Sequence, residues 1–588
     1  MLVSVTRHKA LWLVFLLMLA VLGKNALEQY PRLMAADLPN PDSYYKLVMV
    51  RDHVPETGFN FVARDNAPHG VWMHWSLPHT WSVWALHQGL MALGMEQQPA
   101  LLVAGGGLTV LCMLALVLLL ALSTANAGSP KAAIVTALVV ASSPPLFAYG
   151  QLLQVTHHIF MLVPVAAAAA CFLRPDLRAG WLADFVGGAL LGLALWISPE
   201  TMPLVVTMAG MRAAIRLQHP FSGSVWPVAL GLMLMLSTGW LIDPPPPTFT
   251  AWALDHISYT WVLLGAMVAA LLLYADGCVA RAVGLGRSVG ELALMTLLLG
   301  ACWLWLVPGA ILGADGLIPP YLHDIWYSRI QELQPAATPT RWLGYLLFPA
   351  LGGVLLLVVA WRQRSLWVFV LAASTLAYAV LVSEHIRMGA AGSMLSALAF
   401  GIGLSRLRAF EHMHDKSQPM REQLLVALLI LAVPLRIFGV VGLAHSENKD
   451  DAMEGRADAC HFDDALPLLG VLPAGIVLAE SNLGAEILFK THHMIVAGNY
   501  HHNVDGLLDD FHMLRDVAPD STARRLADSR GVDYVLVCSE VGRGLKRGKY
   551  ERTLAQRLAS AEPVDWLPRH EAVGNWRVYL RIRERVRE

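Results

Sequence analysis

Long apolar runs separated by short polar loops set the pattern of this chain. Residues 101–122 (LLVAGGGLTVLCMLALVLLLAL) hold no charge, and about 20 apolar residues suffice to carry a helix across a bilayer. Runs of this kind predict spans at 9–27, 99–122, 131–149, 157–173, 182–198, 201–217, 225–242, 259–275, 289–308, 342–361, 366–382, 388–405 and 423–443, thirteen in all. The first follows Arg7, His8 and Lys9 as a secretory signal does. Lys24, Asn25 and Glu28 stand where small residues would mark cleavage, so it reads as an uncleaved span. Arg212 interrupts the 201–217 run, and 77–95 reads as a re-entrant or interfacial helix. The predicted fold class is an all-α polytopic membrane protein of about thirteen helices.

The loops alternate in charge. One set carries Arg7 and Lys9, Lys131, Arg174 and Arg178, Arg216, Arg281 and Arg287, Arg362 and Arg364, then Arg406, Arg408, Lys416 and Arg421. The other set (150–156, 199–200, 243–258, 383–387) is nearly free of basic residues. Short basic loops stay cytoplasmic, which puts the N-terminus inside and, after an odd number of spans, the C-terminus outside. Three outer segments are too long to be connectors: 28–98, 309–341 and 444–588. The last alternates β-like runs (475–480, 494–500, 532–538, 576–582) with polar helical stretches such as 521–530, the pattern of a small α/β domain. The expected domains are therefore a transmembrane one at 1–443 and an extracytoplasmic one at 444–588. Cys460 and Cys538 are the only cysteines of the second, and an oxidising exterior would permit their pairing.

Composition agrees with the pattern. Charged residues are 15% of 588, against about 25% in soluble domains. A formal net charge of −1 supplies no basic field for nucleic acid.

Ionisable groups near hydrocarbon are costly and by default mark function. Four groups fall on the outer side. Asp42 precedes Tyr44, Tyr45 and Lys46 where 43–53 reads as a short amphipathic helix lying on the bilayer; its bland role is to cap that helix. His157 and His158 open the fourth span after a minimal loop, placed for a metal or a phosphate, or simply as an interfacial pair. Glu332 lies in WYSRIQELQP, where an ordinary ion pair is the plain alternative. Glu384, His385 and Arg387 form the outer loop SEHIR, with Glu200 at another span end. An arginine fork suits phosphate. Converging, these groups would let a divalent cation on Asp42, His157, His158 and Glu332 neutralise a leaving phosphate held by Arg387, with His385 beside it.

The arrangement resembles the GT-C membrane glycosyltransferases, most closely the catalytic subunit of oligosaccharyltransferase. Loop order and length agree along nearly the whole chain. Asp42-Ser43-Tyr44-Tyr45 matches the family's first-loop aspartate and tyrosines. Thr156-His157-His158 stands at its Asp-x-Asp-like site, with histidines in place of carboxylates. Arg329-Ile330-Gln331-Glu332-Leu333-Gln334-Pro335 matches the Glu and Gln-Pro of its third motif. The external Trp-Trp-Asp-Tyr-Gly motif that reads a protein sequon is absent; Ala479-Glu480-Ser481-Asn482-Leu483-Gly484 stands there, and 491–506 (THHMIVAGNYHHNVDG) adds histidines. The resemblance implies a polyprenyl-phosphate or polyprenyl-pyrophosphate sugar donor reached from the outer leaflet of a bacterial inner membrane. It leaves the acceptor open among glycan, lipid and protein. It implies Asp42 and Glu332 as catalytic groups and a divalent metal, Mg or Mn, on Asp42, His157, His158 and Glu332. Arg387 and His385 would hold the donor phosphate, and Tyr44, Tyr45, His74, Trp75 and Glu200 would line the substrate. A transporter or lipid flippase would instead predict charge at mid-membrane and internal repeats. A non-catalytic part of an envelope polysaccharide machine would leave Asp42 and Glu332 far apart.

Overall fold

A computed structural model describes residues 2–407 apart from 175, 177–179, 246–249, 252, 308 and 310–317, together with 420, 432, 460–517, 520–539 and 553–581. Hydrocarbon offers no water to a backbone amide, so each apolar run closes its hydrogen bonds within itself. The predicted spans from 9–27 to 388–405 fall in helical segments, from Leu2–Met34 to Gly389–Ser405, with 131–149 and 157–173 each divided between two helices. Among the described residues, seven helices are long and apolar enough to cross a membrane, and Pro130–Ala141, His157–Phe172, Trp181–Ile197 and Trp226–Ile242 are shorter apolar ones. Pro144 and Pro145 break the third run after Ala141, as a ring without an amide proton must. The last predicted span, 423–443, and the domain boundary at 443–444 lie outside the described residues.

Arg212, the interruption in the sixth run, is fully buried and forks onto Asp184, Nε to Oδ1 at 3.0 Å and Nη2 to Oδ2 at 2.8 Å. Arg174 adds two more bonds to the same carboxylate, at 2.9 and 3.1 Å. A compensated charge is tolerated among apolar helices where a lone one is not.

The first outer loop departs from its expected position. Its helix, Pro41–Arg51, buries every residue from Ser43 to Val50. One flank meets the membrane helix Gln97–Ala127, where a side chain on Gly105 would strike Leu47. The other meets the helix Ser481–Lys490, with Tyr44 and Phe489 rings 5.8 Å apart. Covered on all sides, it is a wedge between membrane helices and C-terminal domain, and no face remains to lie on lipid. The 77–95 segment forms the helix Pro78–Ala92.

Residues 460–581 build a five-stranded sheet in the order Met494–Ile495, Ile476–Leu478, Tyr534–Cys538, Trp576–Leu580, Arg569–Val573. The first three strands are parallel and the last two antiparallel. The central strand Tyr534–Cys538 is buried along its length. Cys460 and Cys538 are joined as a disulfide, Cα atoms 6.2 Å apart.

Candidate active site

Asn40 caps the helix Pro41–Arg51, its Oδ1 accepting from the Ser43 amide at 2.9 Å. The capping role left open for Asp42 is thus filled by a neighbour, and the Asp42 carboxylate points elsewhere: its Oδ1 accepts from the Tyr500 hydroxyl of the C-terminal domain. Glu332 sits on the turn Gln331–Leu333, and its Oε2 accepts from Tyr149 Oη at 2.9 Å. The loops at 333–336 and 383–386 are laced together by Ile386 N to Gln334 O and Ala336 N to Ser383 O, both 3.1 Å. His385 Nδ1 adds a 2.9 Å contact to Leu333 O. This lacing delivers Arg387, whose guanidinium reaches Glu200 Oε1 at 2.6 Å and Glu332 Oε1 at 3.8 Å.

Two adjoining cavities meet at these carboxylates, and Asp42 and Glu332 line both. One, about 630 Å³, is walled by Asn40, Tyr149, His158, Trp326, Asn482 and Arg515. The other, about 600 Å³, is walled by Trp75, His157, Glu200, Trp261, Trp303 and Arg387. The first faces the C-terminal domain. The second opens among the helices.

The site's electrostatics divide the two carboxylates. Burial raises Asp42 above the ordinary carboxylate range, and the charge of Glu332 adds to the rise; the Tyr500 hydroxyl and His158 oppose it. Burial also acts to raise Glu332, but Arg387, His158 and the Tyr149 hydroxyl together hold it below its usual value. Lys46, one turn from Asp42, is buried with its Nζ 4.0 Å from the Trp75 ring centroid and no hydrogen-bond partner among the described residues. Burial pushes it down to about 7, against the pull of Asp42 and Asp243.

Asp65 fixes the turn that carries Tyr500. Its Oδ1 accepts from Gly498 N and Asn503 Nδ2, each at 2.9 Å, and Tyr45 donates to its Oδ2. Position 498 favours glycine, because a Cβ there would crowd the Tyr45 hydroxyl and the Asp65 carboxylate. Burial raises Asp65 to about 6 in spite of these bonds.

The remaining expected residues separate into two groups. His158 faces the first cavity, its ring 4.3 Å from that of Tyr149. His157 faces the second, with Trp75 at 6.4 Å and its Nδ1 buried without a partner among the described residues. Tyr45 stacks edge-on against Tyr500 at 4.5 Å, and Tyr44 hydrogen-bonds Ala36 O, away from the cavities. His74 sits 4.5 Å from the ring of His501. His158, Asp42 and Glu332 share the wall of the first cavity, two carboxylates and an imidazole whose chemistry suits a divalent cation, but their ligand atoms are not gathered within 4.8 Å of one another. Among the described residues, the histidines and carboxylates whose ligand atoms lie within 4.8 Å of one another are a different group: His74, Asp255, His501 and His502.

Sequence reasoning missed Tyr149, Tyr500, Asp65 and Asp255. Tyrosines carry no charge to betray them, and Asp255 stands in a loop that reads as a plain connector. The repeated His-His of 491–506 was a signal for part of the second group, and Tyr500 precedes it directly.

No family model matches the sequence, and no curated protein matches it. Solved structures do. The oligosaccharyltransferase of Archaeoglobus fulgidus in its apo form aligns with a TM-score of 0.64 at 16% identity, over 91% of this chain and 70% of that one. AglB from the same organism, in complex with an inhibitory peptide and a dolichol-phosphate, gives the same score and identity over 91% and 69%. A complex of that enzyme with Zn and sulfate gives 0.60 at 17% identity over 90% and 68%. Matched over about nine-tenths of its length, the chain has the fold of the archaeal oligosaccharyltransferases.

Proposed function

We propose that the chain is a GT-C type glycosyltransferase that moves a sugar or glycan from a polyprenyl-phosphate or polyprenyl-pyrophosphate donor to an acceptor on the outer face of a membrane. One observation carries the reading: Asp42 and Glu332, from loops far apart in sequence, border both of two adjoining cavities. A donor and an acceptor entering from opposite sides would meet between these carboxylates. A purely structural role predicts them apart.

The second cavity suits the donor. Its tryptophans and its opening among the helices fit a lipid-linked sugar, and the Arg387 fork is suited to the phosphate that leaves. The first cavity, bounded by the C-terminal domain, suits the acceptor. AglB, of the same fold, was solved with a peptide and a dolichol-phosphate bound together. The reaction is an in-line displacement at the anomeric carbon. The bond from that carbon to the donor phosphate oxygen breaks as the bond to the acceptor forms. Asp42 orients the acceptor and takes its proton, for which its raised pKa is favourable. Glu332, kept ionised by Arg387 and Tyr149, sets the guanidinium toward the donor. Asp42, Glu332 and His158 would hold a divalent cation, with His157 behind them, and the imidazole favours Mn over Mg. Such an ion supplies charge neutralisation to the leaving phosphate.

The proposed setting is a bacterial inner membrane, N-terminus in the cytoplasm and residues 444–588 in the periplasm. The Cys460–Cys538 disulfide supports an oxidising location for that domain. The test is release of the lipid carrier from a radiolabelled polyprenyl-linked sugar by purified protein in nanodiscs, with an envelope extract as acceptor. Asp42→Ala and Glu332→Ala should each abolish release while expression and melting stay near wild type. Turnover retained in both variants would overturn the assignment.

A further inference from the structure

His74, Asp255 and His501 border the second cavity but carry no step of the transfer chemistry above, and with His502 their ligand atoms lie within 4.8 Å of one another. They come from three separate segments: the first outer loop, the loop before the helix Tyr259–Ala280, and the turn after the strand Met494–Ile495. His501 Nε2 and His502 Nε2 both contact the same atom, Asp255 Oδ2, at 2.7 and 2.8 Å. The His74 ring lies 4.5 Å from that of His501 and 5.2 Å from that of His502. His74 is 9% exposed, and its Nδ1 is buried with no hydrogen-bond partner among the described residues.

Three imidazoles crowded on one carboxylate are poorly explained by hydrogen bonding alone. A single carboxylate oxygen already takes two imidazole donors, and the third ring keeps a buried nitrogen unpaired, which costs free energy. A cation at the centre resolves both. With metal–ligand bonds of about 2.0–2.2 Å, a tetrahedron has edges of roughly 3.3–3.6 Å. That range falls between the 2.7 Å contact and the 4.8 Å limit, so small side-chain rotations form the cage. Nitrogen ligands with one carboxylate select a borderline transition ion over Mg or Ca. Four protein ligands close the coordination sphere, the pattern of a structural site rather than a catalytic one.

We propose that His74, Asp255, His501 and His502 form a structural site for a Zn-class divalent cation that clamps the C-terminal domain to two outer loops of the membrane domain. Three of these ligands border the cavity proposed for the donor, but the inference is tested separately from the glycosyl-transfer reading, because Asp42, Glu332 and His158 are not among its ligands.

The test uses the full chain in detergent, stripped with chelator and reloaded with Co(II) as a spectroscopic stand-in for Zn. The wild type should show the strong visible absorption of tetrahedral cobalt and, reloaded with Zn, resist proteolytic release of the C-terminal domain. His501→Ala and Asp255→Ala should lose the cobalt band and weaken Zn binding by about tenfold or more. Asp42→Ala should keep the band. No tetrahedral band in the wild type overturns the proposal, even if a variant fails to fold. So does a band that survives in the His501→Ala, Asp255→Ala double variant, or one that Asp42→Ala removes.

Discussion

Removing the Tyr500 hydroxyl perturbs the proposed proton acceptor at a single atom. In Tyr500→Phe the ring keeps its edge-on contacts with Tyr45 at 4.5 Å and Trp75 at 4.9 Å, so packing is preserved. What is lost is one hydrogen bond to Asp42 Oδ1. A hydrogen bond to a charged group contributes about 1.5–3 kcal/mol, and one pKa unit corresponds to about 1.36 kcal/mol. The loss therefore amounts to about one to two units; water in the adjoining cavity replaces part of the bond, so about one unit is expected. The sign is fixed by what the bond favours. It stabilises ionised Asp42 and opposes the rise caused by burial and Glu332. Its removal raises the pKa further, and Asp42 then loses its negative charge at a higher pH. The assay is the pH–rate profile of carrier release, read as kcat at saturating donor. The acidic limb should move up by about one unit, with a loss of about tenfold below it and a plateau near wild type. An unmoved limb, or a loss uniform across pH, would refute the coupling of Tyr500 to Asp42.

Three further outcomes are expected. Arg387→Lys keeps a charge but cannot reach Glu200 and a phosphate with one planar fork, so KM for the donor should rise about tenfold or more; an unchanged donor KM would remove Arg387 from the donor site. Arg212→Ala strands a buried Asp184 among apolar helices. It should cost about 3–5 kcal/mol, less what Arg174 recovers, and appear as a lower melting temperature in detergent. Replacing Cys460 and Cys538 by serine opens a link across 78 residues, a loss of up to about 4.5 kcal/mol in chain entropy, measured as faster proteolysis of the C-terminal domain.

How much of this was legible in the sequence follows from which forces are local. A span is decided by its own composition, because hydrocarbon leaves a backbone no partner but itself, and so each helix up to Gly389–Ser405 could be read one at a time. Strand Tyr534–Cys538 was legible for the same reason, an unbroken apolar run. Its neighbour's partner, Arg569–Val573, was not: every residue of it is exposed, so no alternation marks it, and only pairing with Trp576–Leu580 makes it a strand. The helix Pro41–Arg51 was placed on the bilayer because its sequence has polar and apolar positions. Its burial depends on the arrival of Ser481–Lys490 from the far end of the chain.

The site divides along the same line. Asp42, Glu332, His158 and Arg387 could be singled out because charge near hydrocarbon is costly wherever it is met. Tyr500 and Tyr149 escaped notice because a tyrosine is at home in a membrane boundary with or without a role. What makes them functional is a partner: each hydroxyl binds one of the two carboxylates, and each comes from a different part of the fold. The two bonds act on oppositely shifted groups. Tyr149 joins Arg387 in keeping Glu332 ionised, while Tyr500 only moderates the rise of Asp42. In the proposed mechanism, a pair of carboxylates facing the same cavities is thereby split into one that stays charged to set the guanidinium and one that takes a proton. That division of labour belongs to the folded chain, since nothing in either local motif separates the two.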